Sequence, residues 1–218
     1  MKHLLAFILF CFSTILWAQD SERKIESFQY NGKKVEYGIQ LPGDFQQNST
    51  YPVVVGPSDL EGDQQQSFYW NGVKDTNSWI LIDFPIYKGD VKLTQAFFNH
   101  LRSRFNIEGN KFHAVCFSAN SAGTFDLVMN MPEDFHSITG VAGNPGTKSE
   151  DRLSKLKDVK VMFVVGDRDT YWMNASKDRH QRLQKLNVDS RIEIIKNGQH
   201  VLTQLVGQGL LSRLNSLR

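Results

Sequence analysis

Three short segments of the sequence place chemically useful side chains where strands should end. CFSANSAG, Cys116 to Gly123, holds Ser118 and Ser121 between a β-like run, FHAV, and a helix-like run, TFDLVMNM. GDRD puts Asp167 and Asp169 directly after the apolar run VKVMFVVG, and NGQH puts His200 after RIEIIK. A serine hydroxyl is a poor nucleophile until an imidazole takes its proton, and a carboxylate must hold that imidazole in the right tautomer. Each residue also has a simpler role. A serine after a strand caps a helix, either aspartate of GDRD caps a helix beginning near Tyr171, and NGQH opens another helix. What lifts the three above those roles is their joint placement: serine, then acid, then histidine, each at the end of a separate strand.

Those ends depend on the elements that carry them. The β-like runs are KIESFQY, KVEYGIQL, YPVVVG, WILIDFPI, FHAVCF, ITGVAG, VKVMFVVG and RIEIIK. The first two alternate polar and apolar residues, as half-exposed antiparallel strands do. The later ones are continuously apolar, as in strands buried on both faces of a parallel sheet. Between them, Leu93, Phe97, Phe98, Leu101 and Phe105 recur at helical spacing. Residues 119–131 and 172–187 read as two further helices, and Leu202, Leu205, Val206, Leu210, Leu214 and Leu217 as a last one. The expected fold is α/β: a mostly parallel eight-stranded sheet with helices on both faces, the α/β-hydrolase arrangement, with no insert where a lid domain would sit. In such a sheet functional groups gather at the C-terminal strand ends, and the triad runs in the order serine, acid, histidine.

Residues 1–18 read as a signal peptide: Lys2 and His3, an apolar run from Leu4 to Trp17, and Ala18 before the cut. The run has about 14 residues, short of the roughly 20 that a spanning helix needs, so no membrane span is expected in the mature chain, 19–218. The expectation is export to the periplasm or beyond. Of the 2 cysteines only Cys116 would remain, which excludes an internal disulfide or a cysteine-built metal site. With 218 residues, 40% of them hydrophobic, one packed domain is expected. A net charge of +2 with scattered Lys and Arg offers no track for a phosphate backbone, so no nucleic-acid partner is expected.

The segment FNIEGNKFHAVCFSANSAGTFDLVMNMPEDFHSITGVAG resembles the core of secreted esterases of the polyhydroxybutyrate depolymerase and feruloyl esterase type. Asn106, Ile107, Asn110 and Lys111 match that family's lead-in, and Pro132, Phe135 and Gly143 match the positions after its elbow. Ser118 lies fourteen positions before Pro132, the family's usual spacing, whereas Ser121 is one helical turn too close. VKVMFVVGDRDTYW is similar to the family's acid segment, with Gly166 as the turn glycine and Asp169 as the acid. NGQHVL corresponds to its histidine segment, which places the base on His200. The resemblance covers most of the mature chain, but only the elbow and GDRD segments are specific.

The chain departs from the pattern in three places. Cys116 and Asn120 replace the elbow glycines, which relieve crowding around a strained serine. The oxyanion hole needs one backbone N–H from the residue after the serine, here Ala119, and one from the loop after YPVVVG. That loop reads GPSDLEGD instead of a His-Gly motif; Pro57 has no N–H, which leaves Ser58 or Asp59 to donate. Finally, DQQQSFYWNG is rich in aromatics: Phe68, Tyr69 and Trp70, with Trp172 after the acid, either line a substrate pocket or cover the sheet.

The resemblance implies ester cleavage through an acyl-enzyme on Ser118, His200 and Asp169, without cofactor or metal. The substrate would be a small ester or an ester-decorated polymer. The altered elbow and loop keep a second reading open, a catalytically silent relative acting as a binding or accessory protein. A third makes the same residues a peptidase or thioesterase.

Overall fold

The alternation in KIESFQY and KKVEYGIQ folds them into an antiparallel hairpin, β1 (Lys24–Tyr30) and β2 (Lys33–Gln40), paired from Lys24↔Ile39 to Tyr30↔Lys33. Asn31 and Gly32 join them with φ of 50° and 74°, the left-handed pair that a two-residue hairpin turn requires. The structure, a computed structural model, describes residues 22–56, 69–70 and 73–218. The signal peptide expected over 1–18, and Ser58, Asp59 and Phe68, lie outside the described residues.

Beyond the hairpin come β3 (Thr50–Tyr51), β4 (Val53–Gly56), β5 (Ile80–Asp83), β6 (Asn106–Ile107), β7 (Phe112–Phe117), β8 (Phe135–Val141), β9 (Lys160–Gly166) and β10 (Ser190–Ile195). The helices are α1 (Val91–Arg104), α2 (Ser121–Asn130), α3 (Glu150–Leu153), α4 (Thr170–Lys185) and α5 (Gln208–Asn215). One 8-stranded sheet has the order β1-β2-β5-β4-β7-β8-β9-β10, and in it β2 alone runs against its neighbours. The eight β-like runs read from the sequence are its eight strands. β3 and β6 form a separate parallel pair.

Successive residues of the central strands face opposite layers, so each apolar run supplies two cores. Val53, Val55, Ala114, Cys116, Val161 and Phe163 face one side, with Phe97, Phe98 and Leu101 of α1, Phe125 of α2 and Leu183 of α4. Val54, Val115, Met162 and Val164 face the other, with Leu210, Leu211 and Leu214 of α5. Full burial of one such side chain contributes about 1.5–3 kcal/mol. The apolar stripe read from Leu93 to Phe105 is thus the inner face of α1, whose first turn is closed by Asp90 accepting from Leu93 N at 3.0 Å.

The last expected helix is broken. Residues Thr203–Leu205 make one tight turn, and Gly207, with φ of 69°, redirects the chain into α5. The Gly207 N–H donates to the carbonyl of Tyr69, tying this corner to a residue buried in the same second core.

Near the start of β7, His113 is buried with Nδ1 2.7 Å from Ser137 Oγ, and its ring meets the edge of Trp79. Burial, reinforced by His136, Arg218 and Lys160, pushes its pKa down to about 3. This imidazole is therefore a neutral core group.

Candidate active site

β7 ends in extended geometry at Phe117 (φ −132°, ψ 138°), and the next residue, Ser118, has φ of 50°. A side chain other than glycine pays for a left-handed backbone with strain, and such residues cluster where chemistry needs them. A tight turn over Ser118–Asn120 then runs directly into α2. The chain reverses so abruptly that Ser118 Oγ stands proud of the strand end, 2.8 Å from His200 Nε2.

The histidine is held from behind. His200 Nδ1 lies 2.6 Å from Asp169 Oδ2, so the ring N–H donates to the carboxylate and leaves Nε2 to accept from the serine hydroxyl. The Asp169 side chain is 11% exposed and that of His200 41%, so the acid is shielded while the imidazole edge meets solvent. Asp169 also caps α4, its Oδ1 accepting from Trp172 N at 3.5 Å. Cap and orienting acid, two separate expectations for this residue, are one carboxylate. Asp167 instead ties its backbone N–H to Ile195 O at 3.1 Å.

Two glycines make that pairing possible. A Cβ on Gly166 would fall 2.2 Å from Gly198 O, so the end of β9 and the turn after β10 cross without side chains between them. The crossing is closed by Arg168 N donating to Gly198 O at 2.9 Å. Gly198 N in turn donates to Ile195 O at 3.0 Å, which sets the turn that delivers His200.

Ser121 has a different task. It is buried, its hydroxyl donates to Ser118 O at 2.6 Å, and it accepts from Asn144 N at 3.0 Å. It bolts the elbow to the loop after β8, where Gly143 leaves room: a Cβ there would lie 2.6 Å from Ser121 Cβ.

The replaced elbow glycines cause no conflict. Asn120 has φ −68° and ψ −15°, ordinary helical geometry that any residue adopts. Cys116 is fully buried and paired in the ladder with Gly140, and its Sγ lies 3.5 Å from Thr139 O. The close approach falls instead on Gly123, where a Cβ would sit 2.0 Å from Tyr87 O. Ala119 stands in the first turn after the strand, where backbone N–H groups have no intrahelical acceptor. The loop expected to give the second donor leaves β4 at Gly56, which packs so tightly under Trp70 that a Cβ would lie 1.8 Å from the indole.

The aromatic residues divide. Tyr69 and Trp70 are each 1% exposed, so they cover the sheet and do not line an open cleft. The Trp70 indole N–H donates at 2.8 Å to Asp83, a buried carboxylate at the end of β5 that Arg23 also reaches at 2.7 Å. Trp172 stays at the site, its ring centroid 6.1 Å from that of His200. Phe117, which the sequence reading passed over, is closer at 5.1 Å. Its signal was its place: the residue just before the elbow serine, at the end of a strand. Among the described residues, no group of three or more His, Cys, Asp and Glu is arranged to hold a metal ion, and no helix is long and apolar enough to cross a membrane.

No protein-family model matches the chain, and no curated protein matches it in sequence. Its backbone is similar to solved α/β hydrolases. A ferulic acid esterase superposes with a TM-score of 0.66 at 14% identity, covering 92% of this chain and 96% of that one. An S-formylglutathione hydrolase from Agrobacterium tumefaciens gives 0.66 at 9% identity, over 92% and 96%. A thermostable esterase gives 0.64 at 14% identity over 93% of this chain, which spans 61% of that protein's length. The fold is that of the α/β hydrolases.

Proposed function

We propose that the chain is an exported serine hydrolase that cleaves carboxylic esters through an acyl-enzyme. The observation that carries this reading is the relay Ser118 Oγ–His200 Nε2 at 2.8 Å and His200 Nδ1–Asp169 Oδ2 at 2.6 Å, mounted on a serine with left-handed backbone.

The relay supports a complete cycle. His200 Nε2 takes the proton of Ser118 as Oγ attacks the ester carbonyl, and Asp169 stabilises the imidazolium that results. The oxyanion meets the N–H of Ala119, with Ser58 proposed as the second donor; losing one such donor costs about 100- to 1,000-fold in rate. The tetrahedral intermediate collapses, the C–O bond to the alcohol breaks, and His200 returns its proton to the leaving oxygen. Water then repeats the sequence on the acyl-enzyme and releases the acid and Ser118. The cycle calls on no cofactor. A small ester or an ester-decorated polymer fits a site at the rim of the sheet, and the leader at 1–18 belongs to the same reading. The narrower kinship with polyhydroxybutyrate depolymerases rests on the elbow and GDRD segments.

Fluorophosphonate labelling tests the proposal. Purified mature protein should acquire a phosphonyl adduct on Ser118, located by mass spectrometry, and His200→Ala should lose it. A folded protein that takes no label at Ser118 would sink the enzyme reading and leave the silent binding protein.

A further inference from the structure

On the reading of the site as an esterase, we infer that the alcohol part of the substrate carries a flat apolar ring face, and that Tyr171 and Trp172 receive it. Among the described residues Tyr171 is the most exposed large apolar side chain, at 74%. An isolated exposed aromatic needs no explanation, but this one stands two residues after Asp169, in the first turn of α4. Its ring meets that of Trp172 edge-on, with centroids 5.4 Å apart and planes at 88°. Trp172 in turn lies 6.1 Å from His200, its plane tilted by 31°. Val201, next to His200 in the chain, is also exposed. The result is a line of rings, His200 to Trp172 to Tyr171, that begins at the proton donor and ends in solvent.

Direction follows from chemistry. The imidazole that accepts the Ser118 proton must hand it to the leaving alkoxide, so the alcohol departs on the His200 side of the acyl carbon. A substituent continuing outward from that oxygen meets Trp172 and then Tyr171. Aromatic rings of this kind hold an aryl group by offset or edge contact, and hold the C–H face of a sugar by the same apolar contact. The asymmetry of the pair, with the Trp172 backbone N–H held by the Asp169 cap and the Tyr171 ring open to solvent, fits a surface that is covered only when substrate binds.

The experiment compares kcat and KM for ethyl acetate, benzyl acetate and an acetylated methyl xyloside, in the wild type, Tyr171→Ala, Trp172→Phe and Ile25→Ser. The wild type should prefer a ring-bearing ester to ethyl acetate in kcat/KM. In Tyr171→Ala that preference should fall about three- to tenfold, mainly through KM, the size expected for one lost aromatic contact. Benzyl acetate and the xyloside separate an aryl from a sugar face. Ile25→Ser removes an apolar side chain, 50% exposed, from β1, and should keep the wild-type preference. Turnover of ethyl acetate with no ring preference, or an unchanged preference in Tyr171→Ala, overturns the inference alone. A wild type that hydrolyses none of the three esters and takes no fluorophosphonate overturns the esterase reading, and this inference with it.

Discussion

Asp169 Oδ2 and His200 Nδ1 stand 2.6 Å apart because Gly166 and Gly198 let their two loops cross at backbone distance. The acid and the histidine are therefore placed as one unit by the ends of β9 and β10, and the elbow after β7 needs only to present the serine to it. Two β-α boundaries, formed independently, meet at a single hydrogen bond.

Asp169 both caps α4 and orients His200, and Asp169→Asn separates the two roles. Asparagine caps a helix as well as aspartate, so stability should change by less than about 0.5 kcal/mol. The amide stabilises the wrong imidazole tautomer and no imidazolium, so kcat should fall about 10,000-fold. Urea denaturation read beside ester hydrolysis checks both halves.

Ser121→Ala asks which serine attacks. The substitution leaves the buried Asn144 N–H without the acceptor it has at 3.0 Å, at a cost of about 1–3 kcal/mol. The midpoint in urea should drop accordingly, while fluorophosphonate still labels Ser118. Loss of labelling in a folded Ser121→Ala protein would reverse the assignment.

Asn120→Gly restores an elbow glycine and should bring no gain. Asn120 already holds helical angles, so glycine relieves nothing there and adds chain entropy to the unfolded state, about 0.5–1 kcal/mol. Equal kcat with a slightly lower melting temperature is the expected result. A large rise in kcat would mean that the asparagine side chain obstructs the site.

His113 makes stability depend on pH. Its folded pKa of about 3 lies below the unfolded value of about 6.5, so between those limits the unfolded chain binds the extra proton. Stability from this group is full above about pH 6.5 and is lost as pH falls towards 3, by roughly 5 kcal/mol over the whole window. Urea midpoints at pH 7.5 and 4.5 should therefore differ less in His113→Asn than in the wild type.

The first two strands were legible through their polar–apolar alternation and the later six through the continuous apolar character that a buried parallel sheet demands; all eight runs pair in one sheet. β3 and β6, two residues each, are too short to show any period. The break before α5 was hidden because the leucine spacing stays helical across Gly207, whose positive φ only the fold reveals. Ser118, Asp169 and His200 could be picked out because strand ends and residue order are both written in the chain. Tyr69 and Trp70 show the limit: an aromatic in a loop has the same letter whether it faces a substrate or, like Trp70, reaches inward to a buried Asp83.

On the proposed reading of the site, the left-handed backbone of Ser118 sets stability against activity at a single position. Ser118→Ala and Ser118→Gly both remove the hydroxyl, but only glycine releases the φ of 50° from its steric penalty. Of two equally inert proteins, the glycine form should be the more stable by about 0.5–1 kcal/mol. The working residue would then be a standing tax on the fold, and a lineage that abandoned the chemistry would gain in robustness by letting it go.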